Sequence, residues 1–357
     1  MPKALKPASF AKRLVAWQRV HGRHDLPWQR SRDPYRVWLS EIMLQQTQVS
    51  TVLGYFERFL QAFPTVGHLA QASLDQVLGL WSGLGYYSRA KHLHRCAQVV
   101  AASGGVFPQQ VTALQRLPGI GPSTAAAIAS LCFEQREAIL DGNVKRVLTR
   151  FHGFDHDLSF SAHEQALWQI AEADLPVNAK DMPAYTQGLM DLGATLCTRS
   201  KPDCPRCPMR TDCVAFKQER PTHYPVKTRK LKRSAQSLWL LCAVTTQGEV
   251  WLQQRPAKGV WASLYTQPLF DSEEDLQAAL PAKLRLRLQD EPAFVHVLTH
   301  KDVLLHPMHL KLKQPMDLGE GAWFSAADWP SLGLPTPVRK LLIGQALGGA
   351  SRSPNRR

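Results

Sequence analysis

The chain has 357 residues, enough for about two domains of ordinary size, and 44% of them are hydrophobic, so it can bury ordinary cores. It carries 43 lysines and arginines against 29 aspartates and glutamates. The resulting net charge of +14 favours a polyanionic partner, either nucleic acid or an anionic membrane surface. No apolar run approaches the roughly 20 residues of a membrane span, which leaves nucleic acid as the favoured partner.

The pattern of apolar residues up to Asp191 predicts a succession of helices. Phe10, Leu14, Val15 and Trp17 have the spacing of an amphipathic helix at the start of the chain. A second helix is predicted over residues 49–63, and Pro64 ends it. Further helical periods cover Leu69–Trp81, Ala90–Val100 and Ile128–Phe133.

A glycine-containing turn, Leu117-Pro118-Gly119-Ile120-Gly121, lies between two of these helical runs, and Pro122 suits the first turn of the next helix. Gly119 and Gly121 let backbone N–H groups approach a ligand, and the helix N-terminus adds partial positive charge. This arrangement suits a phosphate, although Gly-x-Gly alone is equally compatible with an ordinary tight turn. About 20 residues later, Leu140–Arg146 places an acid beside a glycine and then basic residues.

Four of the seven cysteines, Cys197, Cys204, Cys207 and Cys213, follow with the spacing C-x6-C-x2-C-x5-C. Four thiolates this close can hold an iron–sulfur cluster or a structural zinc ion. Structural zinc sites more often contain two short C-x2–4-C pairs, and only one such pair is present here. Paired disulfides suit small secreted domains, not a chain of this length. The isolated Cys96, Cys132 and Cys242 predict reduced core residues and a reducing intracellular compartment.

The composition changes after the cysteines. Residues 217–233 carry seven lysines and arginines, with Pro221 and Pro225 among them, which predicts a basic linker. Ser237–Thr245 and Glu249–Gln254 predict strands joined at Gln247-Gly248. A second, mixed α/β domain is therefore expected over residues 234–347, followed by a disordered tail at 348–357.

The order of these motifs resembles the helix-hairpin-helix DNA glycosylases of the endonuclease III superfamily. Leu39–Thr47, Gly83–Tyr87 and Leu140–Arg146 are most similar to the MutY adenine DNA glycosylase family within it. The resemblance implies a mainly α catalytic region over residues 1–216: a six-helix barrel with a helix-hairpin-helix and an iron–sulfur cluster helical domain. It also implies a C-terminal α+β Nudix-like domain, and it identifies the four cysteines as ligands of a structural 4Fe–4S cluster.

The resemblance implies that the enzyme excises adenine opposite 8-oxoguanine or guanine in duplex DNA. Breaking the N-glycosidic bond calls for an acid that protonates the base and a carboxylate that stabilises the positively charged sugar. Glu41 is assigned to protonating adenine at N7 and then activating water, because burial on an apolar helix would keep it protonated. Asp141 is assigned to the cation, through charge or a transient covalent bond, and Asn143 to orienting the sugar phosphate or the carboxylates. Alone, Glu41 would more often be a solvated surface residue, and Asp141 a helix cap.

Ser123 distinguishes two reaction types. In the bifunctional endonuclease III branch, a lysine at this position attacks the sugar as a Schiff-base nucleophile. A serine offers no such amine, so the resemblance implies a monofunctional glycosylase. Two other classes stay open on the residues alone: a lyase acting on oxidised pyrimidines, and a non-enzymatic DNA-binding or electron-transfer iron–sulfur protein.

The resemblance also implies how DNA is held. A base must be flipped out before it can be excised, and Leu84 and Tyr86 are predicted wedges in the opened duplex, together with Gln46 and Thr47. Trp28 is predicted to line the adenine pocket, and Thr299 and His300 to contact 8-oxoguanine. The family has Phe-Ser-His where Leu298-Thr299-His300 stands, and it has a glycine pair where Ala262-Ser263 stands, so these loops depart from the pattern. The chain also lacks the Glu-rich helix of an active Nudix hydrolase, since Glu273-Glu274-Asp275 is too short. We expect a monomeric, bacterial cytoplasmic protein that associates with the nucleoid through DNA.

Overall fold

A computed structural model describes residues 7–229 and 232–348, which form two compact units. Of these described residues, 7–70 and 95–229 form the first unit, and 71–94 and 232–348 form the second. The expectation of a disordered tail at 348–357 falls, beyond Gly348, outside the described residues. In the described part of the chain, no helix combines the length and the apolar character needed to cross a membrane.

The first unit is helical, as the sequence predicts. Its helices are α1 (Pro7–His21), α2 (Pro34–Leu44), α3 (Val49–Ala62), α4 (Val66–Gln71, to residue 70), the end of α6 (Ser88–Ala102), α7 (Val111–Leu114), α8 (Pro122–Phe133), α9 (Gly142–His152), α10 (Ser161–Ala173), α11 (Met182–Thr195) and α12 (Val214–Lys217).

Apolar spacing explains how α1 enters the core of this unit. Phe10 and Leu14 are buried on one face of α1, and the Phe10 ring lies 4.6 Å from that of Phe151 on α9. The same core includes Tyr185 and Leu189 on α11, so α1, α9 and α11 share one apolar cluster. Burial of this kind, rather than helix propensity, supplies most of the stability of such helices.

The helix starts of this unit follow local capping rules. The Asp33 side chain accepts a hydrogen bond from the Tyr35 N–H at 3.0 Å, and Pro34 occupies the first turn of α2. Gly121 caps α8 and Pro122 opens it, so the predicted glycine-containing turn does join two helices, α7 and α8.

The basic segment is more ordered than its composition predicts. Pro221–His223 forms a 3₁₀ turn, and the Leu158 N–H donates to the Val226 carbonyl at 3.1 Å. The Thr228 hydroxyl and N–H both donate to the Asp157 carboxylate. A distant acid therefore holds residues that composition alone assigns to a loop.

The second unit contains a mixed sheet. Its strands are β1 (Ser234–Thr245), β2 (Val250–Gln254), β3 (Tyr265–Thr266), β4 (Leu269–Phe270), β5 (Gln289–Asp290), β6 (Phe294–Val297), β7 (Lys301–Leu312) and β8 (Ala322–Phe324). The main order is β3-β2-β1-β7-β5, with β4 on β1, β6 on β7 and β8 on β2. The central pair, β1 and β7, is parallel and runs in register from Ser234↔Lys301 to Thr245↔Leu312. The same unit contains three helices: α13 (Glu273–Ala278), α14 (Ala282–Arg285) and α15 (Thr336–Gly348).

Residues 71–94, which the sequence places in the catalytic region, belong to this second unit. They carry α5 (Leu74–Trp81) and the start of α6. The Ser82 and Tyr87 hydroxyls both donate to the Leu334 carbonyl, at 2.9 and 2.7 Å. Gly333 allows Leu78 of α5 to pack closely, because a Cβ at position 333 would lie 2.6 Å from Leu78 Cβ. Sequence order therefore does not reveal with which unit this segment packs.

Candidate active site

A polar cleft of about 1140 Å³ lies in the first unit. The ends of α2, α8 and α9 meet there, together with the faces of α11 and the segment after α2. It brings together seven of the residues predicted from the sequence: Trp28, Glu41, Gln46, Thr47, Ser123, Asp141 and Asn143. Its volume is somewhat above that of ordinary small-molecule pockets, which is adequate for a nucleotide turned out of a duplex.

Burial and, to a smaller extent, the nearby charge of Asp141 together raise the pKa of Glu41 from 4.5 to about 7. The pKa of Asp141 is also raised by burial, but hydrogen bonds from the Val144 and Asn143 N–H groups oppose that shift. The two carboxyl groups therefore differ, and Glu41 is the one that holds a proton near neutral pH. Two carboxyl groups whose surroundings differ in this way are candidates for a catalytic acid and its partner carboxylate.

Asp141 is at once a helix cap and a cleft residue. Its carboxylate accepts a hydrogen bond from the Val144 N–H at 2.8 Å and begins α9. Ser123 supports the approach to this cap, because its hydroxyl accepts from the Leu140 N–H at 3.1 Å. The sequence suggested two roles for Asp141, a helix cap and a carboxylate beside the reacting sugar. Its position in the cleft is compatible with both.

Asn143 is held by a neighbouring arginine that the sequence analysis did not single out. Arg146 donates to the Asn143 side-chain oxygen at 2.8 Å and to the Gly193 and Cys197 carbonyls, each at 2.7 Å. Gly193 is required for this packing, because a Cβ there would lie 2.7 Å from Asn143 Cβ. Arg146 therefore connects the first cysteine of the motif to the cleft.

A second cavity, of about 330 Å³, shares Trp28, Glu41 and Gln187 with the cleft. It also includes Gln29, whose side-chain oxygen and nitrogen are both buried without a hydrogen-bond partner. A buried amide without a partner is costly, so its donor and acceptor are suited to a ligand. The Trp28 ring is buried beside them and packs edge-on against Phe56 at 5.3 Å.

Gln187 is held by a buried carboxylate, Asp191, one turn later on α11. The Gln187 amide donates to Asp191 at 2.8 Å, and Arg23 donates to the same oxygen at 2.8 Å. Because residues four apart share one helix face, the pair Gln187/Asp191 could have been noticed in the sequence, but nothing local marks Gln29 or Arg23.

The four predicted cysteines line one apolar cavity of about 30 Å³ in the first unit. Among the described residues, no three His, Cys, Asp or Glu side chains are arranged to hold a metal ion by themselves. Arg150 is 2% exposed, and it donates to Cys197 Sγ at 3.3 Å and to the Thr198 carbonyl at 2.7 Å. A buried guanidinium that contacts the Cys197 sulfur suits a thiolate there better than a neutral thiol, because a buried cation needs compensating charge. The donor set and its charge environment therefore fit an anionic thiolate cluster.

The remaining predicted DNA contacts lie in two places. Gly119 and Gly121 are exposed at the start of α8, and a Cβ at Gly121 would meet open space. In the second unit, Tyr86 and Thr299 are exposed, and their hydroxyl oxygens lie 3.2 Å apart. His300 is exposed as well, whereas the side chain of Leu84, which was predicted as a wedge, is buried.

Two family models match successive parts of the chain. Residues 39–173 match the model described as HhH-GPD superfamily base excision DNA repair protein, and residues 240–344 match a NUDIX domain. A thermostable thymine-DNA glycosylase has a similar structure, with a TM-score of 0.53 at 28% identity over 60% of this chain and 97% of that one. An endonuclease III in a non-covalent DNA complex shares the fold, with a TM-score of 0.50 at 19% identity over 60% of this chain and 98% of that one. The helical unit and its cleft are thus those of a base-excision DNA glycosylase, joined to a Nudix-like α+β domain.

Closer relatives specify the family. The adenine DNA glycosylase of Buchnera aphidicola from Acyrthosiphon pisum is 35% identical over 93% of this chain and 96% of its own length. The human adenine DNA glycosylase is 43% identical over 58% of this chain and 39% of its own length. The chain belongs to the adenine DNA glycosylase family, MutY, whose members are hydrolases of N-glycosyl bonds, as the sequence motifs indicated.

Proposed function

We propose that this protein is a monofunctional glycosylase that excises adenine opposite 8-oxoguanine or guanine in duplex DNA. The observation that carries the proposal is the pair of carboxyl groups in the cleft, with the pKa of Glu41 raised to about 7. A proton held near neutral pH is what the departure of a poor leaving group requires.

Glu41 acts first as the acid. It donates its proton to N7 of the flipped adenine, and the electron pair of the bond from sugar C1′ to N9 leaves with the base. The ionised Asp141 stabilises the positive charge that develops on the sugar, in a cleft where charges interact more strongly than in bulk water. Glu41, now a carboxylate, takes a proton from water, whose oxygen bonds to C1′ and leaves an abasic site.

Three side chains are proposed to recognise the base. Trp28 offers an aromatic face, and the buried Gln29 amide offers one donor and one acceptor to the edge of adenine. Gln187, oriented by Asp191, offers a second amide at the junction of the two cavities. A pocket whose buried polar groups would stay unpaired with the wrong base discriminates strongly.

Strand cleavage through a Schiff base is not part of the proposal. Ser123 occupies the position of the lyase lysine, and its hydroxyl accepts from Leu140. Among the described residues that line the cleft there are three arginines and no lysine. Asn143, fixed by Arg146, orients the sugar phosphate or the carboxylates.

Cys197, Cys204, Cys207 and Cys213 would hold a 4Fe–4S cluster, which has a structural role when bound. It would hold the segment from Cys197 to Cys213 against α9, where Arg150 compensates its charge. In the second unit, Thr299 and His300 are proposed to contact 8-oxoguanine, and Tyr86 to enter the duplex. Gln46 and Thr47 line the opened duplex, and the N-terminus of α8 at Gly119 and Gly121 binds a phosphate.

A gel assay tests the reaction. Duplexes that hold adenine opposite 8-oxoguanine, adenine opposite guanine, or an oxidised pyrimidine are incubated with the full chain and then treated with or without hot alkali. Strand breaks only after alkali, and only on the two adenine duplexes, are expected. Breaks without alkali on the oxidised-pyrimidine duplex would indicate a lyase, and binding without any breaks would indicate a non-enzymatic protein.

A further inference from the structure

Arg233 lies where the two central strands of the second unit begin. It directly precedes β1, and the parallel register pairs Ser234 with Lys301 at the start of β7. The turn that joins β6 to β7, Leu298-Thr299-His300, therefore lies beside the Arg233 backbone. This turn departs from the family pattern in the sequence, and its side chains are proposed to contact the lesion.

The Arg233 guanidinium donates to the turn at two points. One terminal nitrogen donates to the Leu298 carbonyl at 2.8 Å, and the other donates to the Thr299 carbonyl at 3.1 Å. The next backbone N–H, that of Ser234, donates to the His300 carbonyl at 3.1 Å. Three consecutive carbonyls are thus bound from one side.

An acid fixes the orientation of the guanidinium itself. Asp302, the second residue of β7, accepts from both Arg233 Nε and a terminal nitrogen. Arginine suits this arrangement because its donors form a rigid planar fork, whereas a lysine ammonium is a single point charge. The guanidinium donors therefore face the turn and Asp302.

The consequence for the turn is the exposure of its side chains. With the carbonyls bound to Arg233 and Ser234, the Thr299 and His300 side chains are exposed, and the Thr299 hydroxyl meets the Tyr86 hydroxyl at 3.2 Å. The turn is closed on its own by one backbone bond, from the Leu298 N–H to the Lys301 carbonyl at 2.8 Å. Arg233 supplies the additional hydrogen bonds that fix the orientation of the Leu298–His300 turn.

We propose that Arg233 is a positioning residue that sets lesion specificity by holding the Leu298–His300 turn in its reading geometry. The proposal rests on the proposed function, since it presumes that this turn contacts 8-oxoguanine. It differs from the role expected of an arginine in a basic segment, which is to bind a DNA phosphate without regard to sequence.

The test compares Arg233→Lys, which keeps the charge and removes the fork, with Arg233→Met, which removes both. Lys232→Met is the matched control, because it removes one exposed charge from the adjacent position. Affinity for an A:8-oxoguanine duplex and for an undamaged duplex is measured by anisotropy at several salt concentrations, and single-turnover excision is measured on an A:G duplex. Folding is checked by the thermal midpoint, which should change little because Arg233 is 40% exposed.

Both Arg233 variants are expected to lower the preference for the lesion duplex about 3- to 10-fold, with excision on A:G unchanged. The salt dependence for Arg233→Lys should equal that of the wild type. Equal weakening on both duplexes, with a salt slope lower by about 1 for Arg233→Met, would identify a phosphate contact and overturn the proposal. A wild-type chain without lesion preference would instead contradict the proposed contact of Thr299 and His300 with 8-oxoguanine.

Discussion

Glu41 and Asp141 lie in one cleft and differ in what surrounds them. Glu41 comes from the middle of an apolar helix, so burial dominates its pKa and raises it to about 7. Asp141 caps α9, where burial also raises its pKa but hydrogen bonds from two backbone N–H groups oppose that shift. A difference in local backbone environment thus assigns the acid and the counter-charge.

Replacing Glu41 by glutamine keeps the shape of the side chain and removes the transferable proton. Excision in single-turnover experiments should fall at least about 10²-fold, while affinity for the lesion duplex stays within a few-fold, because phosphate contacts supply most of it. Glu57→Gln, at an exposed position on α3, is the control and should match the wild type. Substantial residual excision would remove Glu41 from the mechanism.

The same substitution has a consequence for stability. A buried acid whose folded pKa is raised resists ionisation that the unfolded chain permits, so wild-type stability is lost as pH rises from about 4.5 towards 7. Glu41→Gln avoids this loss, so at pH 8 it should unfold at a higher urea concentration than the wild type. Its free energy of unfolding should be greater by about 1–3 kcal/mol. At pH 4.5 the two proteins should unfold alike, and a stabilisation of equal size there would contradict the raised pKa.

Sequence motifs revealed the reacting residues but not those that position them. Glu41 and Asp141 lie in contiguous segments, where spacing and neighbours carry the signal. Arg146 acts through contacts with residues far along the chain, such as its bond to the Cys197 carbonyl, and Gln29 through the burial of its unpaired amide in a cavity. Such roles depend on tertiary packing, which no local pattern encodes.

At the scale of elements, the cysteine segment is fastened to α9. Arg150 donates to Cys197 Sγ, and Cys213 Sγ contacts the Arg150 carbonyl at 3.3 Å. Arg146, one turn earlier on the same helix, contacts Asn143 in the cleft. Loss of the proposed cluster should therefore destabilise α9, the helix that Asp141 caps.

The protein purified anaerobically should contain about four irons per chain. Cys204→Ala should lower the folded yield and the iron content, whereas Cys132→Ala, outside the group of four, should leave the iron content unchanged. Elemental analysis and the visible absorption spectrum measure both effects. One zinc and no iron in the wild type would contradict the cluster, and full excision by a soluble, iron-free Cys204→Ala protein would contradict its structural role.

The Leu298–His300 turn carries a second prediction at this scale. Thr299→Val keeps the shape and removes the hydroxyl, so affinity for the lesion duplex should fall about 2- to 12-fold, as for one neutral hydrogen bond. Tyr86→Phe is the matched variant, because it removes the other half of the Tyr86–Thr299 pair. If both variants and their double mutant lose equally on lesion and undamaged duplexes, lesion reading lies elsewhere.

Element types were predicted more successfully than their assignments to units. The helices of the first unit and the strands β1 and β2 follow the apolar periods of the sequence, but the predicted period Leu69–Trp81 is divided between α4 and α5, because Ser73 caps a new helix. Residues 71–94 look like part of the helical region, but Leu78 packs at Gly333 in the second unit. The basic segment was predicted as a linker from its composition. Composition cannot show that the Asp157 carboxylate binds Thr228.

At the scale of the whole molecule, the net charge of +14 suits a polyanion such as DNA, and each unit carries one part of the proposed task. The first unit holds the carboxylates and the cysteines, and the second holds Tyr86 and Thr299. Because residues 71–94 pack in the second unit, truncation after Arg233 would uncover buried side chains such as Leu78, which lies against Gly333. Point substitutions in the full chain are therefore the better tests.

The central claim is that Glu41 holds the proton that releases adenine. The most direct measurement is the single-turnover rate of the full chain on an A:8-oxoguanine duplex between pH 5 and pH 9. The rate should fall about tenfold per pH unit above a midpoint near 7, because deprotonated Glu41 cannot act as the acid. A rate that stays level or rises from pH 7 to pH 9 would contradict the claim.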